Sequence, residues 1–415
     1  MVRFEKHTLH NGLRVIVHRD SSTPLAAFNL LYGVGSRNEH PDHTGFAHLF
    51  EHLMFGGSEH APSFDEPLQL AGGESNAFTS NDITNYYMTL PAGNLETAFW
   101  LESDRMFSLN VNHKSLEVQR QVVVEEFRQR YLNQPYGDAF LLLRPLAYQI
   151  HPYRWPVIGR SEDHIMKATM EETRAFYDRY YAPDHAVLSV TGNVDPQDVF
   201  ALSEKWFGPA RPSGLPAEPC PEEPLQNAAR CLTVRRDVPS HRIYKAFHAP
   251  SRLHSDYYAA DMLSDVLSHG KSSRLYQRLT KEQALFSDIH AYITGDTDPG
   301  LLLVTGTVAD NIPLARAEEA LDKELALLCS ERVEARELEK LRNKYESTMV
   351  FERVSILQKA MQLAYYEWLG SAADLNLQVD RYRAVSSEQL LGVAGKILSP
   401  ERATTVYYLS QHIAL

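Results

Sequence analysis

Residues 45–57 read GFAHLFEHLMFGG and set two histidines and a glutamate, His48, Glu51 and His52, among Phe46, Ala47, Leu49, Phe50, Leu53, Met54 and Phe55. On a helix, positions i and i+4 are separated by about 400° of rotation, so His48 and His52 project from one face. Three ionisable groups in such apolar text cost several kcal/mol to bury without a partner. A metal ion is the economical partner, because zinc takes imidazole nitrogens at about 2.0–2.1 Å. Glu51 stands one residue before His52 and nearly one turn after His48, within reach of a water on such an ion. The order H-x-x-E-H inverts the more familiar H-E-x-x-H. Catalytic zinc usually takes three protein ligands and keeps a fourth position open, so one more ligand has to come from elsewhere in the chain.

The rest of the composition narrows the alternatives. With 18 histidines, a chance H-x-x-E-H has a probability of a few per cent, so context must support the motif. His40 and His43, in NEHPDH, and His60, after a glycine pair, read as solvated loop residues. The formal net charge of -12 opposes a nucleic-acid footprint, which needs basic patches. Cys220, Cys231 and Cys329 are too few and scattered for a disulfide framework or zinc knuckle and read as reduced thiols. No apolar run approaches the roughly 18 to 20 residues of a membrane span, and no secretory h-region is visible near the N-terminus. The expectation is a soluble, cytoplasmic protein with no membrane and no nucleic-acid partner.

At 415 residues the chain is too long for one ordinary core. The clearest break is GPARPSGLPAEPCPEEPLQ, residues 208–226, with six prolines and no hydrophobic periodicity. Proline removes donors and favours extended backbone, so this segment reads as a linker. It divides the sequence into 1–208, 209–226 and 227–415. Each half begins with strand-like text and moves on to helices. In the first half LRVIVHRD, AAFNLLYGVG and ESNAFTSNDITNYYMTLP read as strands, and 94–109 and 117–132 as helices. The second half repeats the plan with CLTVRRD, RIYKAFHA and LLLVTGTV as strands, then long helices and a last strand, ATTVYYLS. Two similar α+β halves point to duplication.

The run GVGSRNEHPDHTGFAHLFEHLMFGGS closely resembles the zinc-motif segment of the pitrilysin/insulinase family of zinc peptidases, which includes the mitochondrial processing peptidase. NGLRVIV, GESNAFTSNDITNYY, HPYRWPVIGR, YYAPDHAVLSVTGNVDP and GKSSRLYQRL extend the resemblance over nearly the whole chain. The resemblance implies two similar domains, each a mainly antiparallel sheet packed with helices. It also implies one zinc per chain, held by His48, His52 and a downstream glutamate in the first domain, with Glu51 as general base and no metal in the second. RQVVVEEFRQR supplies two candidates, and periodicity leaves Glu125 and Glu126 both open. The family usually reads V-V-x-E-E with the second Glu as ligand, which assigns the role to Glu126, 74 residues after His52, with Glu125 as fallback. In relatives, the equivalents of Asn76, Ala77, Phe78 and Thr79 lie on a strand that pairs with the substrate backbone beside the zinc, a sequence-tolerant mode of peptide recognition in which Asn76, Ala77 and Phe78 are the expected contacts.

Two departures qualify this likeness. Relatives commonly carry a Glu two helical turns before the ligand Glu; here that secondary position is Gln119, which alters the charge around the metal. Self-sufficient relatives often place an Arg and a Tyr, seven apart, where they bind substrate and the developing oxyanion. The matching text here is LTKEQALFS, with Thr280 and Ser287 at the two positions, or Leu279 and Phe286 one residue earlier. Arg274 and Arg278 lie nearby but off the pattern. The resemblance therefore implies a zinc endopeptidase of unfolded peptides, working in an enclosed cavity as the zinc-bearing subunit of a heterodimer whose related partner carries the Arg/Tyr pair. A homodimer is the fallback. The competing expectation is a non-catalytic scaffold subunit, although such members generally lose the zinc-site letters that persist here.

Overall fold

The computed structural model describes residues 1–216 and 218–413; Ala217, inside the proline-rich segment, lies outside the described residues. Strand positions follow from alternation and burial. The first sheet has the order β1-β2-β6-β3-β5-β4, from β1 (Glu5–Thr8), β2 (Arg14–Arg19), β3 (Leu25–Tyr32), β4 (Glu74–Thr79), β5 (Thr84–Pro91) and β6 (Ala186–Gly192). β6 is buried at every position and β3 at all but its first residue, as central strands covered on both faces must be. Successive side chains of a strand point to opposite faces. Thus Leu31 joins Ile16, Val187 and Leu363 in one cluster, while Phe28 meets Phe99 edge-on at 5.1 Å on the other side.

The second sheet has the order β7-β11-β8-β10-β9, from β7 (Arg230–Arg236), β8 (Arg242–His248), β9 (Phe286–Ile293), β10 (Leu301–Val308) and β11 (Thr404–Ser410). Its five strands repeat the order β2-β6-β3-β5-β4 of the first sheet, and β1 has no counterpart among the described residues. β2 runs parallel to β6, and β7 runs parallel to β11; the other pairings are antiparallel. β4 and its counterpart β9 are edge strands. Duplication is therefore visible in topology although the letters have diverged.

Each compact unit is assembled from three segments. One comprises 1–127, 155–220 and 348–378; the other comprises 128–154, 221–347 and 379–415. The Ile356–Leu369 helix, from late in the chain, packs Leu363, Ala364 and Tyr366 against the first sheet. Trp368 of this helix lies so close to Gly33 that a Cβ there would sit 2.5 Å from the indole nitrogen, so only glycine fits. In the other unit the Ala139–Ala147 helix packs Leu143 against Tyr244, Leu303 and Val406. Fully burying one such aliphatic side chain contributes about 1.5–3 kcal/mol, so removing either helix would expose a large part of its unit's core.

The proline-rich segment is irregular but anchored. Asp184 accepts the Ser213 and Gly214 amides within the first unit. Glu223 accepts the amides of Gln149, Ile150 and His151 within the second. Among the described residues, no helix is long and apolar enough to cross a membrane.

Candidate metal centre

The Phe46–Leu53 helix begins at Gly45, whose φ of 92° suits a residue without Cβ, and buries Phe46, Ala47, Leu49, Phe50 and Leu53. Its polar face carries His48 and His52, whose rings lie 4.8 Å apart at 72°. The His113–Phe127 helix starts at Asn112, whose side chain accepts the Lys114 and Ser115 amides. This helix buries Leu116, Val123, Val124 and Phe127, which puts Glu126 on the shoulder beside that apolar stripe. Glu126 Oε2 lies 3.6 Å from His48 Nε2 and 3.3 Å from His52 Nε2. Glu125 points to the exposed side of the same helix.

The donor set fits zinc. Tetrahedral ligands at about 2.0–2.1 Å from an ion are separated from one another by about 3.3–3.4 Å. The two Glu126–imidazole distances fall close to that edge length, and one ligand atom from each of His48, His52 and Glu126 lies within 4.8 Å of the others. Two imidazoles and one carboxylate leave room for a fourth, exchangeable position. His48 is only 9% exposed, so an ion held there would be approached from the His52 and Glu126 side.

Glu51 is half-buried on the same helix, and its Oε2 accepts a 2.6 Å hydrogen bond from the Thr79 hydroxyl at the end of β4. Behind it stand Tyr86 and Tyr181, both fully buried. Burial, reinforced by the charge of Glu51, holds both phenols well above their ordinary values, so they form a neutral wall. Arg105 closes the back of this region. It is ion-paired with fully buried Glu102 and stacked at 4.2 Å on Tyr86 and 4.4 Å on Phe64. The loop that follows the metal helix is pinned by Asp104, which accepts Ser58 Oγ at 2.5 Å and His60 Nδ1 at 2.7 Å.

Asn76, Ala77 and Phe78 lie on β4, which among the described residues pairs only with β5. The Ser80 amide bonds Ile83 O at the hairpin turn. Antiparallel ladders alternate bonded and non-bonded pairs, so Phe78–Asn85 and Asn76–Tyr87 exchange bonds, while the backbones of Ser75, Ala77 and Thr79 face the open edge. The Ala77 amide there is covered by the Asn76 side-chain oxygen at 2.8 Å. Phe78 remains 37% exposed. Gln119 occupies the same helical shoulder as Glu126 but stands seven residues away, about 10 Å along the axis. It is too distant to join the three donors directly.

In the second unit, Arg274 is ion-paired with Glu337 at 2.8 Å and Arg278 with Glu324 at 2.6 Å. Ser287 Oγ donates to Thr307 O at 3.3 Å. The arginines off the expected pattern are thus engaged in ion pairs of their own unit.

Several residues at this centre are invisible to motif reading. Asp104 lies in ordinary helix text, and Arg105 looks like a surface charge until Glu102, three residues before it, is seen buried with it. Thr79 is legible as part of the β4 strand, but its bond to Glu51 is not.

The sequence profile of the insulinase family (peptidase family M16) matches residues 14–159, and that of the peptidase M16 inactive domain matches residues 167–345. The chain is 33% identical over 98% of its length to the zinc protease PqqE of Helicobacter pylori, covering 92% of that protein. It is 26% identical over 96% of its length to the uncharacterized zinc protease YmxG of Bacillus subtilis, covering 97% of it. Among solved structures, a protease from Helicobacter pylori superposes with a TM-score of 0.92 at 30% identity, over 98% of this chain and all 100% of that one. A peptidase M16 inactive domain from Pseudomonas fluorescens shares the fold with a TM-score of 0.88 at 16% identity, over 100% of this chain and 99% of that one.

Proposed function

We propose, from the premise that this chain belongs to the insulinase family of peptidases (family M16), that it is a zinc-dependent endopeptidase acting on unfolded peptides. The observation that carries this reading is the convergence of His48, His52 and Glu126 at near-tetrahedral spacing beside Glu51. When bound by these three residues, zinc supplies Lewis-acid polarisation of a peptide carbonyl and acidifies an attacking water. Glu51 is placed to act as general base toward an attacking water and would return the proton to the leaving amine. Thr79 fixes the direction in which the Glu51 carboxylate points. The open edge of β4 receives the substrate backbone as an added strand, and the main-chain bonds explain tolerance of side-chain sequence.

The reading extends to a partner. An oxyanion developing on the carbonyl needs donors besides the metal. Thr280 and Ser287 stand where Arg and Tyr are expected, and Arg274 and Arg278 are paired with Glu337 and Glu324. This supports a heterodimer in which a related subunit contributes the Arg/Tyr pair, with a homodimer as the simpler arrangement. The test is metal analysis and peptide cleavage for wild type and Glu51→Gln, each alone and with a candidate partner. The expected result is zinc in both proteins and cleavage only by wild type, raised by the partner. Full cleavage by Glu51→Gln with zinc retained would remove the base assignment. Equal activity from the purified homomer and the co-expressed pair would remove the heterodimer.

A further inference from the structure

The metal helix has an unusual N-terminus. The first amides of a helix lack intrahelical acceptors, and a Ser, Thr, Asp or Asn at the N-cap normally satisfies one of them. Here the N-cap is Gly45, in the left-handed region, and a Cβ at that position would meet Ile158 O at 2.7 Å. No capping side chain fits there. The acceptors come from Glu39, six residues upstream: Oε2 takes the Gly45 amide at 2.8 Å and Oε1 takes the Ala47 amide at 2.9 Å. Ala47 immediately precedes His48.

The turn that leads into Glu39 is held from two sides. Trp155 Nε1 donates to Ser36 O at 3.0 Å at the start of its loop. The Ser36 and Arg37 amides bond Ser80 O and Asn81 O, in the turn between β4 and β5. The Glu39 carboxylate is therefore the joint between the β4–β5 hairpin and the helix that bears His48, Glu51 and His52. We propose that Glu39 is a positioning residue for the metal centre: it sets the helix N-terminus against the hairpin and so places the two histidines opposite Glu126. This inference rests on the metal reading given under Proposed function, while the anchoring itself stands on the bonds to Gly45 and Ala47. Burial pushes the Glu39 carboxyl up to about 8, and the Gly45 and Ala47 amides pull the other way. A group this deep, 6% exposed, has no solvent role to explain its presence.

A residue that merely adds to global stability would loosen the whole unit when replaced, whereas a positioning residue loosens one helix. The full chain carrying Glu39→Gln turns an amide NH2 toward one of the two N–H donors, and Glu39→Asp keeps both oxygens but withdraws them by one methylene. In metal-free protein, amide hydrogen exchange over residues 45–53 should quicken at least tenfold in Glu39→Gln, with β3 and β6 unchanged. Zinc dissociation constants, measured by chelator competition, should rise at least tenfold in Glu39→Gln and less in Glu39→Asp. In the active protein, kcat should fall while KM stays within twofold. Unchanged exchange at 45–53, exchange that quickens equally in β3 and β6, or zinc affinity within twofold of wild type in both variants would overturn the proposal. Should Glu39→Gln fail to fold, the same three readings on Glu39→Asp decide it. If wild type itself bound no zinc, the metal reading would fall, and the exchange measurement would still decide whether Glu39 anchors the helix.

Discussion

The Thr79 hydroxyl donates to Glu51 Oε2 at 2.6 Å, joining the last residue of the open edge strand to the carboxylate on the Phe46–Leu53 helix. A hydrogen bond to a charged group contributes about 1.5–3 kcal/mol. Thr79→Val removes the donor and keeps the shape, so kcat should drop about tenfold or more, since each 1.36 kcal/mol is a factor of ten in rate. Zinc content should be unchanged, and Thr79→Ser should stay near wild type. Steady-state kinetics with parallel metal analysis read both; wild-type kcat in Thr79→Val would show that Glu51 needs no such guide.

Glu126 and Glu125 are neighbours in sequence but face different ways, and only Glu126 reaches the imidazoles. Loss of groups that merely support a ligand costs 10–100-fold in metal affinity, so loss of a ligand should exceed about 100-fold. Glu126→Gln should purify with little zinc, and Glu125→Gln with a full complement. Zinc-replete Glu126→Gln of wild-type affinity would exclude Glu126 as a ligand.

The Ala77 backbone faces away from β5, so Ala77→Pro deletes an N–H from the open edge while sparing the β4–β5 ladder. A peptide substrate that displaces the Asn76 oxygen and adds to this edge loses one main-chain bond of about 1 kcal/mol, and KM should rise about fivefold. Unaltered KM for peptides of several sequences would place the substrate elsewhere.

His60 accepts a pH test with a defined sign. Its hydrogen bond to Asp104, and then the charge of Asp104, raise the imidazole above its ordinary value near 6.5. A raised histidine stabilises the fold fully below the unfolded value and loses that contribution as pH rises through the folded one. The loop carrying Ser58 and His60 should therefore exchange its amides faster above the His60 pKa than below it, beyond the ordinary base dependence. An NMR titration placing His60 at or below 6.5 would contradict this, and Asp104→Asn should bring the value down.

Much of this was legible in the letters, for physical reasons. A period of two marks half-buried strands, and paired histidines at i, i+4 in apolar text mark a helix with one polar face, so β2, β3, β10 and the metal helix lie where alternation and spacing put them. What could not be read is long-range. The choice of Glu126 over Glu125 depends on which shoulder of the 113–127 helix meets the histidines, and a repeat of apolar residues leaves adjacent shoulder positions degenerate. Glu39 sits in polar loop text, and its burial is set by Gly45 and Ala47 after the helix has docked. β9 escaped notice because a register shift against β10 at Thr307/Val308 leaves Ser287 and Asp288 both outside its buried positions, which breaks the period of two. The destination of the Ala139–Ala147 and Ile356–Leu369 helices was likewise hidden, because an amphipathic helix records that it must be covered, not by which sheet.

That last arrangement imposes an order in time. The first sheet is covered by residues 356–369, so a ribosome must translate about three hundred residues beyond Glu51 before that sheet gains its lid. The His48, Glu51 and His52 segment emerges early and waits, on an unfinished support, for a helix made about three hundred residues later. A framework built this way is finished only after the Ile356–Leu369 helix has been made, so its earliest strands spend the interval without their cover.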